Sequence, residues 1–334
     1  MTNLAPQRSS VHEHPELSVI IVNWNTRDLL RDCLNSIYAE TRATSFEILV
    51  VDNASSDSSA EMVKREFPQA KLIENQENLG FAKANNQAIR QSSGRFILLL
   101  NSDTVVLSGA LDKMVAFMKE HRAVDASGPM LLNPDGSLQQ STWRASGRFA
   151  FVRFIIIGRV FLVAYLLKLL LSKIGKKETY SPQPRQVGGV SGACMMITRE
   201  AVDKVGLLDE QYFFFWEEVD WFYRLQQLGG VVYFIPEAQV IHHYAQSINQ
   251  TDNRSKYLHE NRYRFINKYH GKMRGYFFRI MLAIDSFFVI CAFLLLQVLV
   301  RGDKRKEMNL RLRWRWRTLL WVIGWDKGSS NSKA

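Results

Sequence analysis

A short polar cluster, Asn101-Ser102-Asp103, follows directly after the apolar run at residues 96–100. The run has the length and composition of a buried strand, and the cluster after it ends in a carboxylate. In an open α/β sheet, ligands bind outside the carboxyl ends of the strands. Asp103 is therefore predicted to lie where a charged ligand would bind. An ordinary loop aspartate after a buried strand is the alternative.

A second acidic cluster contains Glu217, Glu218 and Asp220 and follows the aromatic run at residues 213–216. Apolar residues at helical spacing from position 219 predict a helix that begins here and ends near Gly229. Acidic side chains in a first helical turn stabilise the helix dipole, so capping is one interpretation. Aromatic neighbours would also raise the pKa of a carboxylate and make it a stronger base, which is the other interpretation.

The elements that must position these clusters alternate between strands and helices. Strands are predicted at residues 17–22, 46–51, 71–74 and 96–100, with helices between them, the first capped by Thr26. This alternation predicts an α/β fold with a doubly wound, parallel sheet in a nucleotide-binding N-terminal half.

Polar residues end each of the long strands, at positions 23–25, 52–55 and 101–103. Because the carboxyl ends of parallel strands share one edge, three such clusters favour a nucleotide crevice over unrelated turns. The sequence has neither GxGxxG after the first strand nor GxxxxGK[ST], which argues against a dinucleotide fold and a P-loop. Its three cysteines form no CxxC pair and support neither a zinc site nor a disulfide framework.

Taken together, these motifs resemble family 2 inverting glycosyltransferases of the GT-A fold, and within them the rhamnosyltransferase-like branch. The matching segments are residues 18–25, 51–55, 78–86, 100–104, 192–193, 199–200, 205–210 and 213–224. The resemblance implies a GT-A-type mixed or parallel sheet. It also implies transfer of a sugar from a nucleotide diphosphate donor with inversion at the anomeric carbon.

The resemblance assigns roles position by position. Asp52 would accept a hydrogen bond from N3 of a uracil or thymine ring, beside the backbone of Val22 and Asn23. Asn53 and Asn86 would line the nucleotide pocket. The predicted nucleotide-sugar site consists of Val22, Asn23, Asn25, Asp52, Asn53, Asn78, Gly80, Asn86, Asn101, Ser102 and Gly192.

The resemblance also implies a metal site and a catalytic base. Asp103 would be the last carboxylate of the family's DxD-type motif, which holds Mg²⁺ or Mn²⁺ on the diphosphate. Asn101 replaces the first Asp, so a further ligand is expected, and the register favours His242 over His243. Glu218 matches the base that takes the proton from the acceptor hydroxyl, with Glu217 as the second candidate.

The C-terminal part of the chain has the composition of a membrane-associated region. Residues 262–334 contain 16 Lys and Arg against 4 Asp and Glu, whereas the preceding 261 residues contain 27 against 28. These cations flank apolar runs and alternate with Trp, which favours an anionic lipid surface over nucleic acid. Residues 276–300 are predicted to form a shallow or re-entrant element, with one transmembrane helix as the alternative.

These observations predict a domain organisation. Residues 1–16 form a disordered N-terminus without the apolar core of a signal peptide, and residues 17–260 form the GT-A domain. A membrane-seated helical insertion is predicted at about residues 148–175, with a buried core helix as the alternative, and residues 261–334 are the basic, Trp-rich membrane-associating region. The expected location is the cytoplasmic face of the cell membrane, peripheral or with one span.

The leading hypothesis is a metal-dependent inverting glycosyltransferase of polysaccharide biosynthesis, with a lipid-linked or cell-surface glycan acceptor. L-Rhamnose from dTDP-rhamnose is the first candidate donor sugar, and UDP-hexoses and GDP-sugars are the alternatives. A catalytically degenerate membrane scaffold is the non-enzyme alternative, and a polysaccharide synthase is disfavoured because QxxRW is absent. A homo-oligomer is compatible with the sequence.

Overall fold

The computed structural model describes residues 14–143, 182–243, 254–296, 303–322 and 324. The predicted insertion at about residues 148–175 and most of the predicted disordered N-terminus lie outside the described residues. The chain divides into two compact units. The first comprises Met1–Trp143, Pro182–Leu208 and Trp221–Tyr244, and the second comprises Arg144–Ser181, Asp209–Asp220 and Ala245–Ala334. The predicted domain limits at residues 17–260 and 261–334 remain predictions.

The first unit is built on a mixed sheet. In the described residues, its strands are β1 (Leu17–Asn23), β2 (Phe46–Asp52), β3 (Lys71–Glu74), β4 (Phe96–Asn101), β5 (Thr104–Leu107), β6 (Ala126–Leu132), β7 (Leu138–Gln139), β9 (Arg185–Val187), β11 (Cys194–Thr198) and β12 (Val232–His242), while β8 (Thr142–Trp143) and β10 (Gly189–Val190) pair separately. The order is β3-β2-β1-β4-β11-β6-β12-β5, with β7 on β6 and β9 on β12.

Helices connect these strands. They are α1 (Arg27–Glu40), α2 (Ser59–Glu66), α3 (Phe81–Gln91), α4 (Ala110–Glu120), α5 (Arg199–Val205) and α6 (Glu217–Gln227). The continuously apolar strands are buried on both faces, as β1 shows. Val19 and Ile21 belong to one apolar cluster, whereas Ile20 between them belongs to the cluster on the opposite face. Full burial of each such side chain contributes about 1.5–3 kcal/mol, so the position of β1 is strongly determined.

The four strands predicted from the sequence are present and parallel, and the second half of the sheet is mixed. β1 pairs in parallel with both β2 and β4, whereas β11 is antiparallel to β4. Pro236, of a residue type that usually ends or borders a strand, lies within β12. β12 continues past this residue, because its register with β6 shifts between Ile235 and Gln239, and such a bulge accommodates a proline. The helix predicted to end near Gly229 ends at Gln227, and Leu228 beyond it is exposed.

The second unit contains the segment Asp209–Asp220 and three C-terminal helices. These are α7 (Arg254–His270), α8 (Lys272–Leu296) and α9 (Asp303–Val322). A small apolar cluster joins them and includes Ile266, Phe278 and Leu282. The segment Lys272–Leu294 is long and apolar enough to cross a membrane, judged by length and composition only.

Candidate active site

The carboxyl ends of β1, β2 and β4 meet at a network of polar side chains, here called the strand-end cluster: Asn23, Thr26, Asp52, Ser55 and Ser102. The sheet register sets Asn23 opposite Asp52, and Asn23 Nδ2 donates to Asp52 Oδ1 at 3.0 Å. The Ser55 backbone N–H donates to Asp52 Oδ2 at 2.9 Å. Thr26 Oγ1 donates to Asn23 Oδ1 at 2.6 Å and lies 2.8 Å from Ser102 Oγ.

Thr26 therefore has a different role from the one expected. It occupies the N-cap position of α1, but its side chain makes no capping bond and joins the strand-end cluster instead. Asp52 is also buried, and both of its oxygens already accept one bond within the cluster. A carboxylate oxygen has two lone pairs, so each can accept a further bond from a base edge.

The neighbouring predicted residues shape the turns around this cluster. Asn25 has a left-handed backbone with a φ of 53°, and its Oδ1 accepts from the Ser56 backbone N–H at 2.7 Å. Asn53 is buried and its Nδ2 donates to the Gly80 carbonyl at 3.2 Å. Gly80, with a φ of 79°, precedes α3, and its N–H donates to Asn78 Oδ1 at 3.0 Å. These contacts fix the loops that follow β2 and β3.

Asn86 joins α3 to the backbone at Leu208. It is 1% exposed, its Nδ2 donates to the Leu208 carbonyl at 2.9 Å, and its Oδ1 accepts from the Leu208 N–H at 3.1 Å. Both polar ends of this amide thus bind the Leu208 backbone, and its place in the nucleotide pocket stays a prediction. Val22 and Gly192 are partly exposed, and Val22 lies opposite Asn101 in the β1–β4 register.

Asp103 and His242 lie next to each other, although 138 residues separate them in the chain. β12 pairs with β5 so that His242 lies opposite Thr104. This register brings the imidazole ring of His242 next to Asp103, the residue before Thr104. Asp103 Oδ1 is 3.3 Å from His242 Nε2, and both residues are buried. Asn101 Nδ2 lies 3.3 Å from the same ring nitrogen. The backbone N–H of His243 donates to the Asp103 carbonyl at 2.9 Å.

Gln139 orients the His242 ring, and the sequence did not reveal it. Gln139 Oε1 lies 2.7 Å from His242 Nδ1, and Gln139 Nε2 donates to the His242 carbonyl and to Asn133 Oδ1. A side-chain carbonyl accepts, so we assign the proton of the neutral ring to Nδ1. Nε2 then has a lone pair that accepts from Asn101 and faces Asp103. In the sequence, Gln139 is a single polar residue after Leu138, and its place on the short strand β7 is seen only in the structure.

The pair fits a divalent cation. Within residues 14–143, 182–243 and the described C-terminal helices, no group of three or more His, Cys, Asp or Glu side chains could hold a metal. With the tautomer assigned above, Asp103 Oδ1 and His242 Nε2 are both acceptor atoms, and a cation between them would bind both. Neighbouring ligands of an octahedral ion lie about 3 Å apart, close to the observed separation. Phosphate oxygens and water would have to complete the coordination.

The acidic turn of the second unit contains two carboxylates in apolar surroundings. In this described segment, neither Glu217 Oε2 nor Glu218 Oε2, although buried, has a hydrogen-bond partner. Burial raises the pKa of Glu217 well above its usual range, and the neighbouring Glu218 raises it further. Burial likewise raises the pKa of Glu218. Both groups are therefore stronger bases than an exposed glutamate.

Asp220, one turn later in α6, has a structural environment. Its Oδ1 accepts from Lys268 Nζ at 2.7 Å, from the Tyr269 hydroxyl at 2.8 Å and from the Tyr212 hydroxyl at 3.3 Å. The side chain is fully buried. An ion pair and two hydroxyls thus engage Asp220, in contrast to the unpartnered oxygens of Glu217 and Glu218.

Comparisons with known proteins agree with the fold. A model of glycosyl transferase family 2 matches residues 18–206. The chain is 27% identical over 247 residues to an N-acetylglucosaminyl-diphospho-decaprenol L-rhamnosyltransferase of Mycobacterium tuberculosis, covering 69% of this chain and 77% of that protein. It is 26% identical over 244 residues to the O-antigen biosynthesis protein RfbC of Myxococcus xanthus, covering 72% of this chain and 18% of that protein.

Solved structures show the same architecture. The mannosyltransferase PcManGT from Pyrobaculum calidifontis, in complex with GDP-Man and Mn²⁺, aligns with a TM-score of 0.55 at 16% identity, over 95% of this chain and 89% of that one. GalNAc-T7 with UDP, GalNAc and Mn²⁺ aligns with a TM-score of 0.56 at 16% identity, over 95% of this chain and 59% of that one. The predicted GT-A-type fold with a mixed sheet is thereby confirmed.

Proposed function

This chain belongs to glycosyl transferase family 2 and is a rhamnosyltransferase-like glycosyltransferase. From that premise we propose that it transfers a sugar, in a metal-dependent and inverting reaction, from a nucleoside diphosphate to a lipid-linked glycan. The observation that most supports the proposal is the buried Asp103–His242 pair beside the carboxyl end of β4. It offers two cation ligands at the sheet edge where ligands of open α/β sheets bind.

The strand-end cluster binds the donor nucleotide in this proposal. Asp52 accepts from the pyrimidine N3–H while its bonds to Asn23 and Ser55 hold the carboxylate in place. L-Rhamnose from dTDP-rhamnose is the favoured donor sugar, because the mycobacterial relative is named as an L-rhamnosyltransferase. The structural neighbours were solved with UDP or GDP-Man, which keeps UDP-hexoses and GDP-sugars as alternatives.

Asp103 and His242 would hold Mg²⁺ or Mn²⁺ against the diphosphate. Such an ion would neutralise the negative charge that develops on the departing nucleoside diphosphate. Gln139 keeps the His242 lone pair directed toward Asp103, and Asn101 donates to the same nitrogen. The support for the metal is this ligand chemistry together with the Mn²⁺ in two structural neighbours.

Glu218 removes the proton from the acceptor hydroxyl, and Glu217 is the second candidate. The hydroxyl oxygen forms a bond to the anomeric carbon on the face opposite the leaving group, whose oxygen takes the bonding electron pair. This displacement inverts the anomeric configuration. The raised pKa of the base brings it closer to that of the alcohol and so favours proton transfer.

The acceptor is proposed to be lipid-linked, since the mycobacterial relative is named for a decaprenyl diphosphate substrate. Helices α8 and α9 suit a protein at an anionic membrane surface. Arg279 of α8 donates to the Trp321 and Val322 carbonyls at the end of α9, and Asp285 pairs with Arg315 at 2.5 Å. The two helices therefore run antiparallel, with these polar groups between them.

The outer side of α8 is apolar. Its exposed large side chains are Met273, Tyr276, Phe277, Ile280, Ile284, Phe287, Phe288 and Leu294. Arg313 and Arg317 of α9 are exposed as well. If α8 crossed the bilayer, α9 beside it would take these arginines into hydrocarbon at a cost of about 2.5–3.5 kcal/mol each. We therefore favour an in-plane position on the cytoplasmic leaflet over a single span.

The transfer proposal is tested with purified full-length protein and a panel of dTDP-rhamnose, UDP-hexoses and GDP-mannose, with Mn²⁺ or a chelator. Asp103→Asn should abolish metal-dependent donor binding. Glu218→Gln should bind donor normally and stop transfer. The exposed residues Asp32 and Glu61 provide matched controls, as Asp32→Asn and Glu61→Gln. Full turnover of Asp103→Asn contradicts the proposal, and donor binding without metal dependence or transfer supports the scaffold alternative.

Vesicle sedimentation tests the membrane position. The protein should bind vesicles that contain phosphatidylglycerol and be released from them by salt. The double variant Phe287→Asp, Phe288→Asp should stay in the supernatant, while Leu228→Asp, at an exposed position of the first unit, should bind normally. If the wild-type protein stays with the vesicles during alkaline carbonate extraction, a transmembrane helix is favoured over the in-plane position. If it forms a dimer that salt does not dissociate, a second copy of the chain is favoured as the partner of the apolar side of α8.

A further inference from the structure

The backbone before the two glutamates is unusual. Phe215 and Trp216 have φ angles of 69° and 78°, in the left-handed region that bulky residues rarely adopt. No glycine relieves this pair of aromatic residues, and Glu217 follows as the first residue of α6. Strained conformations of this kind persist only where surrounding contacts hold them, and they concentrate at functional sites. The contacts that hold this turn therefore bear on its function.

Asn261 of α7 supplies those contacts. Its side-chain Nδ2 donates to the Phe214 carbonyl at 2.9 Å and to the Phe215 carbonyl at 3.0 Å. The residue is 3% exposed. One amide group thus uses both of its N–H donors on consecutive carbonyls of the strained turn. A buried amide with two good acceptors has little freedom to reorient, so it defines the direction of both peptide groups.

Helix α7 also holds the chain on the other side of the glutamates. Lys268 and Tyr269 donate to Asp220, and the ring of Phe265 packs against Trp216 with 5.4 Å between centroids. The segment that contains Glu217 and Glu218 is therefore fixed at both ends by one helix. Asn261 acts before the glutamates, and Lys268 and Tyr269 act after them.

We propose that Asn261 is a positioning residue for the catalytic base: it holds the Phe215–Trp216 turn in its left-handed conformation, so that Glu217 and Glu218 begin α6 with one oxygen of each carboxylate buried. The inference rests on the proposed function, in which Glu218 takes the proton of the acceptor hydroxyl. The two hydrogen bonds of Asn261 Nδ2 go to the backbone of the turn, so Asn261 acts through the turn. Its loss would release two carbonyls and let the turn relax to a commoner conformation.

The test compares Asn261→Leu, which keeps the size but removes the donors, with Asn261→Gln, which keeps an amide. Arg264→Ala is the control, because Arg264 is an exposed residue of the same helix that binds Gln211 in the same segment. At saturating donor, Asn261→Leu should lower kcat by about ten- to a hundred-fold, the effect expected from a small misplacement of a catalytic group. Donor binding should not change, and Asn261→Gln should recover part of kcat.

The pH profile separates positioning from general damage. Burial raises the pKa values of both glutamates, so water that enters a relaxed turn lowers them. The acid limb of kcat in Asn261→Leu should therefore move to lower pH, while that of Arg264→Ala stays in place. Wild-type kcat and pH profile in Asn261→Leu overturn the inference. Equal losses of donor binding and kcat also overturn it.

Two further outcomes complete the test. If Asn261→Leu does not fold, Asn261→Ser, with one shorter donor, replaces it under the same criteria. Failure of the proposed function is recognised separately, because the wild type would then transfer no sugar, and failure of the base assignment is recognised by turnover in both Glu218→Gln and Glu217→Gln. If Glu218→Gln is inactive while Asn261→Leu is normal, the positioning inference fails and the base assignment stands.

Discussion

The replacement of Gln139 by leucine tests the proposed metal site. In the proposed mechanism, Gln139 contacts neither the nucleotide-sugar donor nor the glycan acceptor. Gln139 Oε1 accepts the His242 Nδ1 proton at 2.7 Å, and this bond directs the Nε2 lone pair toward Asp103. Leucine has nearly the same size and no acceptor. In Gln139→Leu, the Nδ1–H group loses its partner, and the ring is no longer held in the tautomer that a metal requires.

The expected magnitude follows from the contact. His242 is buried, and an N–H group left there without a partner costs about 1–3 kcal/mol. Loss of an outer-shell partner of a metal-binding histidine typically weakens metal affinity by about 10- to 100-fold. That factor corresponds to about 1.4–2.7 kcal/mol, so the two estimates agree.

The assay is a Mn²⁺ titration of sugar transfer, combined with calorimetry of nucleotide binding. The Mn²⁺ concentration for half-maximal turnover should rise by about 10- to 100-fold in Gln139→Leu, with kcat recovering at saturating metal. Asn133→Ala is the matched control, because it removes the Asn133 Oδ1 acceptor of Gln139 Nε2 and leaves the bond to His242 intact. An unchanged half-saturating concentration in Gln139→Leu, or wild-type turnover in chelator, would refute the assignment of His242 as a ligand.

Two further predictions concern stability. Since the folded-state pKa of Glu217 lies above its unfolded value, the stability that this group contributes is present at low pH and lost as pH rises through the folded pKa. Glu217→Gln should therefore raise the free energy of unfolding at alkaline pH and change it little in acid, as measured by urea titration at both pH values. Lys268→Met leaves the fully buried carboxylate of Asp220 without its cation. The free energy of unfolding should fall by about 1–3 kcal/mol. A larger loss is not expected, because Lys268 is 35% exposed and two tyrosine hydroxyls still donate to Asp220. A loss indistinguishable from zero would show that this ion pair does not stabilise the fold.

The parallel half of the sheet was predictable because its signals are local. The strands at β1, β2 and β4 are continuously apolar, each ends in polar residues, and each is followed by residues with helical spacing. The same local logic identified Asp103, Asp52 and the two glutamates as candidate site residues. It does not extend to Pro236, where a proline would be expected to end a strand but a bulge allows β12 to continue.

Other features depend on pairings between distant segments. The register of β12 with β5 brings His242 to Asp103, and the short strand β7 brings Gln139 to His242. The antiparallel pairing of β11 with β4 likewise joins two segments that are far apart in the chain.

The sequence by itself determined which residue types stand at the strand ends, that the chain has a family 2 pattern, and that its cations gather in the C-terminal region. Only the tertiary structure decided which oxygens of the acidic residues have partners, which ring nitrogen of His242 faces Asp103, and that Asn261 holds the turn before Glu217. The physical reason is range. Strand and helix signals arise within a few neighbouring residues, whereas burial and hydrogen bonding at these sites join groups that are far apart in the chain.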